Sequence, residues 1–82
     1  MKASVMKYGH GWVVVLDYGR NGRDAERNGY WVEDSLGGWG HSMRAPLLAV
    51  HECASPRVYD TERAAVVVAE RAVGEGGEVA VV

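Results

Sequence analysis

The sequence predicts an α+β domain, an antiparallel sheet of about four strands with one main helix packed on one face. Three observations carry this. Short stretches with strand periodicity, separated by Gly-rich turns, fill the first half of the chain. A capped Ala/Val-rich segment over residues 61–73 then has helical periodicity. At 82 residues the chain is one small domain, and a domain of that size buries only roughly 60% of its unfolded surface. Self-association is one way to bury more, so a homodimer is a reasonable expectation.

The elements follow in order. Ala3 to Tyr8 alternates, with Val5 on one face and Met6 and Tyr8 on the other, as in a half-buried strand. Gly9-His10-Gly11 supplies the backbone freedom for a tight reversal. Trp12 to Leu16 is continuously apolar and Val-rich, the pattern of a central strand covered on both faces. These two strands are expected to form a hairpin. Gly19 to Gly29 is polar and contains Arg-Asn-Gly twice, a loop or ribbon tip. Tyr30 to Asp34 and Trp39 to Met43 flank Ser35-Leu36-Gly37-Gly38 and predict a second hairpin with aromatic residues on both arms.

Pro46 to Cys53 favours a short helix with proline in its first turn, although an edge strand suits the same apolar content. Ser55-Pro56 ends it in either case. The main helix has a signal at each end. Thr61 can cap the first-turn amides, Asp60 and Glu62 lie at the positive end of the dipole, Arg71 lies at the negative end, and Gly74 terminates the helix. At 100° per residue Ala64, Ala65, Val68, Ala69 and Ala72 share one face. A face of alanines implies close approach to the sheet, with the tryptophans and valines of the strands filling the volume. Val66 and Val67 fall at the margin and on the polar side. Glu78 to Val82 has strand character and is expected to extend a sheet edge or to pair with another copy.

The formal net charge of −2 argues against a generic nucleic-acid binder. Charge is uneven along the chain. Residues 1–31 hold five basic against three acidic side chains, and the remainder holds four against eight. Cys53 is the lone cysteine, so no internal disulfide forms. With no continuous apolar stretch near Met1 and no run long enough to cross a membrane, the expected location is cytoplasmic.

No motif of catalytic specificity is present, so an enzyme is not expected. His10, His41, His51 and Cys53 are the nitrogen and sulfur ligands available to a metal. They do not form the two spaced clusters of a zinc site, and no metal or other cofactor is expected. Cys53, Ser42, His41 and Asp34 could be combined on paper into a nucleophilic site, but nothing around them resembles a nucleophile elbow. Arg20, Arg23 and Arg27, on a Gly-rich segment, suit phosphates or the carboxylates of a protein partner. Trp12, Trp31 and Trp39 are candidate interface anchors, but in a chain without Phe at least two of them are expected to be substantially buried.

The unit Tyr59-Asp60-Thr61-Glu62-Arg63-Ala64-Ala65 resembles the strand-to-helix junction of phage integrase arm-type DNA-binding domains, matched at Tyr59, Thr61 and Ala65. The glutamate common before that alanine is Ala64 here. The junction is also similar to the Asp-Thr segment of HicB-like antitoxins, matched at Asp60, Thr61 and Ala65. In size and element pattern the chain resembles small accessory proteins of phages and prophages, many of which bind host proteins and some of which inhibit defence nucleases. That resemblance implies a non-enzymatic interaction protein acting on a host protein or complex. Arg20, Arg23 and Arg27 would be its polar anchors, and Tyr30, Trp39 and Val67 its apolar ones. The alternative is a nucleic-acid module of the integrase-arm type that uses Lys2, Lys7 and the arginine loop on phosphates.

Overall fold

The computed structural model describes residues 2–17, 29–42 and 46–82. Among them the elements are β1 (Lys2–Tyr8), β2 (Gly11–Asp17), β3 (Tyr30–Glu33), β4 (Trp39–Ser42), α1 (Pro46–Glu52), α2 (Glu62–Val73) and β5 (Glu78–Val81). The arginine loop, with Arg20, Arg23 and Arg27, lies outside the described residues, as does Met43.

The strands form one sheet in the order β4-β3-β2-β1-β5. Both expected hairpins are present, β1 with β2 and β3 with β4, and β2 also pairs antiparallel with β3. The sheet departs from the expected four antiparallel strands by one. β5 runs parallel to β1, with Ala3 opposite Val79 and Val5 opposite Val81. The physical reason is the crossover. The chain leaves β4 at one edge, passes through both helices, and α2 carries it back across the face to the far edge. A strand delivered that way enters alongside β1 in the same direction.

The short helix α1 and the main helix α2 lie on opposite faces of the sheet, and strand alternation divides the core between them. On the α2 side lie Ala3, Val5, Val14 and Leu16, packed against Ala65 and Ala69. On the α1 side lie Val13, Val15 and Val32, packed against Ala49 and Val50. β2 is thus covered on both faces, as its unbroken apolar run requires. The helical reading of residues 46–52 holds, and its two buried residues are Ala49 and Val50.

α2 begins and ends as its residues specify. Thr61 is extended and its hydroxyl accepts from the Ala64 N–H at 3.1 Å, while the Gly74 N–H donates to the Glu70 carbonyl. Ala65 and Ala69 are fully buried, whereas Ala64, Val68 and Ala72 are half-buried. As expected, the tryptophans are substantially buried: Trp12, Trp31 and Trp39 all pack around the α2-side core, though none is fully buried. The largest fully buried side chains are all valines. A helix seated on alanines leaves too thin a gap for an indole beneath it, so the rings collect at its margins.

Residues 53–61 are more than a connection. Pro56 bridges Asp34, and Tyr59 bridges Trp12 through paired backbone bonds of 2.8 and 2.9 Å. The Arg57 N–H donates to the Glu33 carbonyl at 2.9 Å and the Ser35 N–H to the Ser55 carbonyl at 2.8 Å. The segment therefore closes the sheet end where β2 begins and β3 finishes, and it delivers the chain to the start of α2.

Candidate functional site

Between this closing segment and the first turn of α2 lies an open groove of about 570 Å³, lined by Ser35, Arg57, Val58, Tyr59, Asp60, Thr61 and Ala64. Its floor is set by Tyr59, whose backbone is fixed to β2 and whose hydroxyl donates to Glu33 Oε1. The Arg57 side chain lies over the Tyr59 ring, 5.3 Å from its centroid, with its Nε 3.9 Å from Glu33 Oε1. The Glu33 side chain is 15% exposed and that of Arg57 is 50% exposed. The carboxylate is therefore committed inward, while the guanidinium keeps one side open to solvent.

Burial, then the hydrogen bond to Glu33 and its negative charge, push the Tyr59 phenol from 10.0 up to about 12. The raised value means the folded chain favours the protonated phenol, a contribution that is complete below pH 10 and lost as pH rises towards 12. Near neutrality Tyr59 is a fixed donor. It is a poor general acid because its proton is held by Glu33.

The apolar walls are Val58, 46% exposed, and Ala64. Val67, one helical turn beyond Ala64, is 37% exposed on the outer surface of α2 and is not among the residues that line the groove. Leu36, beside Ser35 in the β3–β4 turn, is 93% exposed. The groove thus combines an accessible cation, the exposed Asp60 carboxylate, two hydroxyl side chains (Ser35 and Thr61) and aliphatic surface.

The residues singled out in the sequence do not gather here. None of the expected apolar anchors Tyr30, Trp39 and Val67 lines the groove. Tyr30 packs on the α1-side core and Trp39 on the α2-side core, so alternation along β3 and β4 places them on opposite faces of the sheet. Lys2 and Lys7 occupy positions of opposite parity on β1 and also face opposite ways. Lys7 lies over the Trp12 ring at 5.0 Å.

The catalytic combination on paper is dispersed. The His41 ring stacks on Trp31 at 4.7 Å on the α2 side. Ser42, on the other face, donates from Oγ to Glu52 Oε2 at 2.7 Å. Asp34 Oδ1 accepts from the Leu36 and Gly38 amides at 2.8 and 3.0 Å and so holds its own turn. His51 meets the edge of the Tyr8 ring at 6.0 Å, and Cys53 is a half-buried free thiol on the α1-side core. Among the described residues no three His, Cys, Asp or Glu side chains converge as metal ligands, and no helix is long and apolar enough to cross a membrane.

Arg57 and Val58, both exposed in the groove, carry no local sequence signal. They sit in a Pro-containing stretch that reads only as punctuation, and their partners in β2 and β3 are more than 20 residues away. Comparison with known proteins returned no family model, curated protein or solved structure that matches this chain.

Proposed function

We propose that this chain is a small non-enzymatic interaction protein, phage or mobile-element derived, that binds a host protein or complex and modulates or inhibits it, a defence nuclease complex being one such target. The observation that supports this reading most is the groove. An accessible Arg57 beside Val58 and Ala64 suits a partner segment that presents an aliphatic side chain next to a carboxylate, where guanidinium and apolar wall act together. Glu33 and the Tyr59 hydroxyl are bonded to each other and set the shape of the site, while the exposed Asp60 carboxylate lines it beside Thr61 and would direct a partner's own carboxylate towards Arg57.

The test is capture from lysate of the native host by the parent chain, by Arg57→Ala/Val58→Asp and by Leu47→Asp. Leu47 is 51% exposed on α1, away from the groove. The double variant is expected to retain the parent's melting temperature within a few degrees and to weaken capture by at least about 30-fold, the equivalent of about 2 kcal/mol for a central contact. Leu47→Asp is expected to change capture less than about threefold. Equal capture by the parent and the double variant would refute the groove. Binding to nucleic acid that falls steeply with salt would instead favour the integrase-arm reading.

A further inference from the structure

The structure leaves β5 as an edge strand whose backbone and side chains are self-complementary, and we infer that two copies of the chain pair antiparallel through it, joining their sheets into one of ten strands.

The inference starts from which backbone groups already have partners. The Val82 N–H donates to the Val5 carbonyl at 2.9 Å, and the parallel register sets Ala80 opposite Ser4 and Val81 opposite Val5. In a parallel ladder alternate residues turn both N–H and C=O to the same neighbour. Glu78, Ala80 and Val82 therefore face β1, and Val79 and Val81 direct their N–H and C=O groups outward. Among the described strands none lies beyond β5.

Native edges are usually protected by lysine, proline, a bulge or a covering element. Residues 78–82 read Glu-Val-Ala-Val-Val, with no proline or lysine, and Val81 and Val82 are 48% and 73% exposed.

One two-fold register pairs the outward groups of Val79 and Val81 with each other. With the axis through Ala80, Val79 of each copy lies opposite Val81 of the other, which makes four backbone hydrogen bonds. Ala80 meets its own mate as a non-hydrogen-bonded pair, where Cα atoms approach to about 4.5 Å and a small residue fits best. Glu78 then lies opposite Val82, so no like charges face each other.

The side chains agree with that register. Val79 and Val81 share the α2 face with Ala3 and Val5. Ala64 borders the groove on the β3 side of α2, so the opposite flank, with half-buried Val66 and Val73, lies towards β5. Each copy would therefore bring Val66, Val73, Val79 and Val81 to one apolar seam. The groove of each copy stays open, because it lies on the far side of α2.

A four-residue ladder belongs at the small end of interfaces, so an affinity of roughly 10–100 µM is expected. In sedimentation equilibrium the parent chain should show a concentration-dependent monomer–dimer equilibrium. Val81→Pro removes an outward N–H without touching the β1 ladder, and should weaken association at least about tenfold. Cross-linking reads the register independently of that variant's folding. In a Cys53→Ala background, Ala80→Cys should oxidise to a covalent dimer, because its Cα spacing suits a disulfide. Val79→Cys, whose mate is Val81, should remain largely monomeric. A parent chain that stays monomeric to about 1 mM, as it would if a different protein's strand occupied this edge, overturns the inference. So does cross-linking of Val79→Cys as fast as Ala80→Cys, or of neither.

Discussion

Gly11→Ala is expected to destabilise the chain by about 3 kcal/mol and to lower its melting temperature by roughly 12–24 °C. A β-carbon at Gly11 would collide with the Val58 side chain and lie 2.5 Å from the Tyr59 carbonyl oxygen. That carbonyl accepts the Trp12 N–H, so it cannot withdraw without breaking the bridge that holds the closing segment on β2. Gly9 is the control. It has φ of 59° but open space around its missing β-carbon, so Gly9→Ala bears only the conformational cost of about 1–2 kcal/mol. A urea or thermal melt that ranks Gly9→Ala as the more damaging change would show that Tyr59 does not pack against β2.

Ala69→Leu is the second large effect, at about 2–3 kcal/mol or roughly 8–24 °C. Ala69 and Ala65 are fully inaccessible and contact the same cluster as Val5, Val14 and Leu16. Three added carbons there must lift α2 from the sheet, and the lift is shared by every contact along the helix. Ala64→Leu, one turn earlier at the groove margin, is expected to stay within about 0.5 kcal/mol. Equal tolerance of leucine at positions 64 and 69 would contradict the close seating of α2.

These two positions also mark what could be read from the residues. The ends of α2 were legible because a Thr cap, a terminal Gly and an alanine stripe are local signals with one physical meaning each. The hairpins were legible from alternation and from the turn residues. The side and direction of β5 were not, since a short Val-rich segment has no local property that distinguishes a parallel from an antiparallel neighbour. The burial of the tryptophans was legible from their hydrophobicity, but not their place at the margin of the core, which follows from the alanine-thin gap under α2. Gly11 read as turn freedom like Gly9, although its actual constraint comes from Tyr59, 48 positions along the chain.

The candidate site was less legible than the fold. The residues with chemical character in the sequence are not the ones that meet: the fold sends Tyr30 and Trp39 to opposite faces while bringing Arg57, Val58 and Ala64 to one groove. A groove made by a crossing segment depends on contacts distant in sequence, and neither composition nor periodicity records those.

The most direct test of the groove as the recognition surface is site-specific photo-cross-linking in cells of the native host. A benzophenone amino acid would be placed in turn at Val58 and at Glu70, an exposed position of α2 on the flank away from the groove. The account predicts a discrete covalent adduct with a host protein from position 58 and none from position 70. Adducts from position 70 with none from position 58 would contradict it.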